Sequence, residues 1–291
     1  MEPTALLLLA LSIVCSTARA VFSKKLGALS SGRRGFYLTQ AVLFAVAAAV
    51  LLLLNVRCIA RPSQTAVLLA VAYGVLTVLS QWMYTLSLTR CPVSVCAMVY
   101  SFGFILPTVF GTVVWREPVN AFKIVSILLC IGTIFLASGK SDAGAAKPRG
   151  LPLPLIVAML ASGGLGIVQK LQQKSAASGE TGMFLCLAFM LATLLSLLAA
   201  LAARKDAAPK ARIAPALALP ILVVGVCMAA ANTANTLLAG LLPSAVIFPT
   251  VNVGVILASL AASALLLKEK PTRRQLAAFA LGIAAILLFN L

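Results

Sequence analysis

The chain is built from apolar runs of about twenty residues set nearly end to end, with short basic or Pro- and Gly-containing stretches between them. A run of that length crosses the hydrocarbon core of a bilayer as a helix. In lipid no water is available to pair the backbone, so only helices or closed barrels can span. Barrel strands would alternate polar and apolar residues, whereas these runs are apolar on every face. The sequence therefore predicts an all-α, polytopic membrane protein of ten transmembrane helices, at 4–22, 36–56, 66–88, 93–114, 119–138, 152–170, 182–203, 214–240, 243–267 and 272–290. Ten such spans nearly use up the 291 residues, so no sizeable soluble domain remains. Hydrophobic residues make up 62% and charged residues only 10%. A soluble surface carries far more charge, about 25% of residues.

The first run has some features of a secretion signal, including Ala18-Arg19-Ala20 as a small-x-small site. Its leading segment carries Glu2 and no basic residue, which is wrong for a signal, and it is read as a retained span. The polar stretch from Ser141 to Pro154, rich in Gly and Pro, divides the chain near its middle. This gives a first five-helix repeat at 1–140, a linker at 141–151 and a second five-helix repeat at 152–291.

The two halves match at a nearly constant offset. Ser12 falls on Ser162, Lys24 on Lys174, Gly35 on Gly182, Pro92 on Pro243, Gly103 on Gly254, Glu117 on Glu269 and Gly132 on Gly282. Chance similarity between Leu/Ala-rich helices explains such order poorly for residues as sparse as Glu, Pro and Lys. Five spans per half is an odd number, so the second half enters the membrane in the opposite sense. Inverted repeats of this kind are a device of secondary transporters, because exchanging the conformations of the halves opens first one side and then the other.

The ends of the halves carry Arg116-Glu117-Pro118 and Lys268-Glu269-Lys270-Pro271, each followed by an apolar span with a central glycine, Gly132 or Gly282. The run Leu88-Thr89-Arg90-Cys91-Pro92-Val93-Ser94 forms a tight join between two spans. In these features the chain resembles the EamA-like, ten-span branch of the drug/metabolite transporter (DMT) superfamily. The resemblance runs over essentially the whole chain and implies secondary transport of metabolites, amino acids or drugs.

Of the basic residues, 17 lie on loops after odd-numbered spans and 6 on the other side. The positive-inside rule places the richer loops in the cytoplasm of a cell or inner membrane and both termini outside. The net charge of +17 fits contact with anionic lipid headgroups better than with nucleic acid, since the basic residues sit in short segments between spans.

Polar residues inside spans are the candidates for function. Gln81 and Tyr84 share a helical face in the third span, as do Asn232 and Asn235 in the eighth, and the repeat offset superposes the two pairs. Tyr100 and Ser101 in the fourth span and Asn252 in the ninth extend the set, with Trp82 as an aromatic wall. Ser12, Ser16, Ser162 and Gln169 lie in the first and sixth spans. These twelve are the expected substrate-binding residues. The competing role for each is interhelical hydrogen bonding. Close packing is the expected role of Ser162-Gly163-Gly164-Leu165-Gly166, and Arg19 and Lys170 are expected to reach for the interface. Pro107 and Pro249 are expected to kink their helices.

No carboxylate lies in mid-span, which disfavours a proton-coupled exporter of cations and suits a neutral or zwitterionic solute such as an amino acid. The seven cysteines show no metal or redox spacing, His is absent, and no phosphate-cradling loop appears. Catalytic residues, metals and cofactors are therefore not expected, and neither is enzyme activity. The expected partners are a small-molecule substrate and the bilayer, with the protein a monomer or homodimer. An exporter or flippase of drugs or lipid-linked substrates on the same scaffold is the alternative.

Overall fold

The computed structural model describes residues 2–27, 32–55, 62–88, 93–137, 153–203, 218–266 and 272–288. The expected linker at 141–151, the basic stretch around Glu269 and residues 89–92 of the tight join lie outside them. Among the described residues there is no strand. The helices are α1 (Pro3–Gly27), α2 (Gly32–Leu54), α3 (Gln64–Leu88), α4 (Val93–Ser101), α5 (Ile105–Val114), α6 (Ala121–Ala137), α7 (Leu153–Lys174), α8 (Thr181–Ala202), α9 (Ala218–Leu241), α10 (Ser244–Leu266) and α11 (Arg273–Leu288).

Among the described residues, each stretch expected to span is mainly helical. Seven helices (α1, α2, α3, α7, α8, α9 and α10) contain a segment long and apolar enough to cross a membrane. The two apolar stretches Met98–Val114 and Ala121–Leu136 are shorter. Large aliphatic side chains point outward along these helices, among them Leu54 at 77% and Leu68 at 70% exposure. Such a surface is costly in water and costs nothing against acyl chains. Hydroxyls turn back on their own helices instead: Thr77, Thr85, Ser87, Ser126, Thr133, Thr193 and Thr233 each donate to the carbonyl four residues earlier. That satisfies a buried polar group without a neighbour. Both features are consistent with an integral, multi-pass membrane protein.

The chain forms two compact units. One comprises Met1–Leu9, Leu79–Lys170 and Leu238–Leu291, the other Ala10–Val78 and Leu171–Leu237. Each unit takes helices from both halves of the sequence.

In the second unit α2 lies along α8. Phe44 and Phe189 stack with centroids 6.2 Å apart and planes 18° off parallel. Ala41, Ala47 and Ala48 on α2 and Ala188 and Ala192 on α8 are buried, so small residues let the two helices approach closely. In the first unit α6 pairs with α11, and α5 with α10. The core here includes Phe104, Ile134, Leu238, Ile247 and Leu257.

The fourth expected span is not one helix. It tightens into a 3-10 turn at Phe102–Phe104 between α4 and α5. Pro107 has no N–H to give the carbonyl of Gly103, which removes the α-helical bond at this turn. Pro249, in contrast, sits inside a continuous α10. The difference lies in packing. A Cβ on Gly163 would stand 2.6 Å from both the Gly103 carbonyl oxygen and Leu106 Cβ, and one on Gly103 would stand 2.9 Å from the Met159 carbonyl oxygen. The glycines of α7 thus press backbone to backbone on the broken turn, the close-packing role expected of Ser162–Gly166.

Candidate functional site

The polar candidates divide between the units. In the second, Asn232 and Asn235 on α9 are committed to other helices. Asn232 Oδ1 accepts from the Tyr73 hydroxyl of α3 at 2.6 Å, and its amide nitrogen donates to the Met228 carbonyl at 2.7 Å. Asn235 Oδ1 accepts from Ser12 Oγ of α1 at 2.5 Å. Tyr73 is itself 2% exposed and meets Phe184 edge-on with centroids 5.3 Å apart. The three-residue spacing that marked the two asparagines holds, and each binds a different helix. Ser16 lies part-buried on α1.

In the first unit Tyr84 and Tyr100 come together, with ring centroids 4.8 Å apart and tilted by 54°. The Tyr100 hydroxyl hydrogen-bonds Ser80 Oγ at 2.8 Å. Tyr84 packs on a small cluster of Cys96, Val99 and Leu155. Gln81 and Ser101 are part-buried, and among the described residues their side chains take no hydrogen-bond partner. Trp82 is part-buried, Gln169 is 5% exposed, and Ser162 lies against Gly103. The Asn252 side chain donates to the Phe248 carbonyl of its own helix at 3.0 Å. The structure therefore unites Tyr84 with Tyr100 and Ser12 with Asn235. It does not join Ser101 to Asn252 by a hydrogen bond.

Two participants escaped the sequence reading. Ser80 sits one turn before Tyr84 and Tyr73 about two turns before Gln81, and nothing in their spacing marks them. The third surprise is Lys170. It does not reach for the interface: it is 4% exposed, its Nζ stands 2.8 Å from Glu117 Oε1, and it donates to the Leu242 carbonyl at 2.7 Å. Glu117 follows Arg116, whose φ of 50° turns the chain back on itself. The other carboxylate oxygen of Glu117 accepts the Ser244 N–H at 2.6 Å, in the first turn of α10, where a helix presents unpaired amides and partial positive charge. Glu117 lies between α5 and α6, outside the spans. Burial pushes its carboxyl up, but the Lys170 ammonium and the Ser244 amide outweigh this and hold it below the ordinary value.

Lastly, an apolar groove of 410 Å³ opens between α5 and α7, lined by Leu106, Val109, Phe110, Val113 and Ile167 among others. Among the described residues no cluster of His, Cys, Asp and Glu could hold a metal ion.

No family model matches the chain. No curated protein matches it either. Solved structures do match, and one of them, described as "Crystal structure of protein", superposes with a TM-score of 0.76 at 14% identity, covering 99% of this chain and 96% of that one. At that identity the likeness shows the fold alone, over nearly the whole length of both chains.

Proposed function

We propose that this protein is a secondary transporter that moves a small polar or zwitterionic metabolite, amino-acid-like in character, by alternating access, as the resemblance to EamA-like DMT transporters implies. In this reading the ten helical stretches are ten spans, arranged as two inverted repeats of five, and the protein is a carrier rather than an enzyme.

The observation that carries the reading is the pairing of helices. α2 packs on α8, α5 on α10 and α6 on α11. In the sequence repeat these are spans two and seven, four and nine, and five and ten. In these three pairs a first-half helix lies against its own counterpart, an arrangement that a two-fold axis between inverted halves would produce. The polar side chains left over for a solute are amides, hydroxyls and tyrosines, which suit a neutral or zwitterionic molecule. Gln81 and Ser101 are the strongest solute contacts, because their hydrogen-bonding capacity is not spent on other helices. Tyr84 and Tyr100 supply an aromatic surface beside them.

Reconstitution into liposomes with counterflow of a panel of amino acids, nucleotides and organic cations tests the proposal. Exchange of one polar or zwitterionic class supports it, and silence across the panel refutes it.

A second reading, an exporter or flippase of amphiphiles, gains support from the apolar groove between α5 and α7, which could take an alkyl chain from the bilayer. Preferential counterflow of hydrophobic cations, or scrambling of a labelled lipid, would favour it.

A further inference from the structure

The Glu117–Lys170 pair takes no part in the polar sets assigned to a solute, yet charge buried in a membrane protein is costly enough to demand a use. We propose that the pair is a one-sided latch, holding shut the end at which the α5–α6 junction, α7 and the α9–α10 turn are tied, and parting when that end opens. The inference rests on the alternating-access reading above and adds to it a resting state and the contact that maintains it.

Three segments are joined through two side chains. Lys170 of α7 reaches both Glu117 and the Leu242 carbonyl, and Glu117 holds the first turn of α10 through the Ser244 N–H. The backbone is shaped around this knot. Arg116 adopts a left-handed conformation that a side chain disfavours, and Glu117 N–H then bonds back to the Gly111 carbonyl at 3.2 Å. A Cβ on Gly111 would lie 2.6 Å from Ser244 Oγ and 2.7 Å from Glu117 Oε2, so only glycine lets α5 and α10 close on the carboxylate. The Ser244 hydroxyl is fully buried beside the Glu117 carboxylate. Water entering this end would solvate both charges, so the contact that is strong when dry is weak when wet. Apolar packing would not release in that way.

Among the described residues the knot stands at one end, where the α5–α6 junction, α7 and the α9–α10 turn meet. By the loop-charge count, the latched end faces away from the cytoplasm.

The test uses the full-length chain in liposomes, with Ser244→Cys as reporter and the native cysteines replaced. A membrane-impermeant maleimide is applied to the intact reporter protein and to the same protein carrying Glu117→Gln or Lys170→Met. Glu117→Gln removes the charge and keeps an oxygen for the Ser244 N–H. The latch predicts labelling at least tenfold faster in both variants, each remaining monodisperse. Unchanged labelling in either folded variant overturns it. Loss of folded protein in both variants also overturns it, by assigning the pair to stability instead. Counterflow on the same vesicles keeps the two readings apart: transport by the parent with unchanged labelling sinks the latch alone, and absence of transport by the parent sinks the carrier reading itself.

Discussion

The hydroxyl of Tyr73 donates to Oδ1 of Asn232 across 2.6 Å, and so fastens α3 to α9 within one compact unit. An interhelical bond of this kind contributes about 0.6 kcal/mol on average in a membrane protein, and at most about 1.7. Tyr73→Phe should therefore lower the melting temperature of the purified protein slightly. Asn232→Leu, which also frees the Met228 carbonyl, should lower it more. An unchanged melting temperature in both variants would show that the bond holds nothing together.

Gln81 should behave in the opposite way. Its side chain joins no other helix among the described residues, so Gln81→Ala should leave stability within about 0.5 kcal/mol, as for substitutions that break no contact. Uptake of the solute identified by counterflow should fall at least tenfold. Normal uptake by this variant would remove Gln81 from the site.

The carboxyl of Glu117 is held below its ordinary value of 4.5, so its charged form is favoured by folding. That contribution is fully present above 4.5 and is lost as pH falls through the lowered folded value. This group should therefore add no pH dependence to thermal stability near neutrality, and stability should drop in acid. Glu117→Gln should show a smaller acid-side drop in melts taken across the pH series. Equal drops in the two proteins would mean that other carboxylates govern the acid limb.

Gly163→Ala should destabilise by about 1–3 kcal/mol, the usual cost of overpacking, because its Cβ would meet the Gly103 carbonyl at 2.6 Å. Gly179→Ala is the control, since nothing lies within 4 Å of a Cβ placed there. Equal melting temperatures for the two variants would show that α7 can back away from the broken turn at little cost.

The helices were legible because lipid leaves the backbone so few options: a run such as Leu6 to Leu11 has to be helical to cross. Breaks inside helices were not legible. Pro107 and Pro249 carry the same chemistry, but only the first sits over the Gly103–Gly163 approach, and only there does the helix tighten. The ion pair was hidden for a different reason. Glu117 and Lys170 each look like a charge at the end of a helix, and nothing local tells a lysine that extends into headgroups from one that bends back to a carboxylate far along the chain. Asn232 and Asn235 were expected among the substrate-binding residues, with interhelical hydrogen bonding as the competing role, and each bonds a residue of another helix. Which neighbour would take up each amide depended on Tyr73 and Ser12, and no local pattern ties either of them to its asparagine.

The stacking of Phe44 on Phe189 bears on how the protein is made. α2 leaves the ribosome long before α8 exists, so its buried face of Gly35, Ala41, Phe44, Ala47 and Leu51 has no partner while the intervening chain is synthesised. Insertion of the first half must therefore be followed by a waiting period in the bilayer, during which that face meets only lipid or a chaperone. A nascent chain that stops at the mid-chain boundary would leave an orphan for membrane quality control to remove.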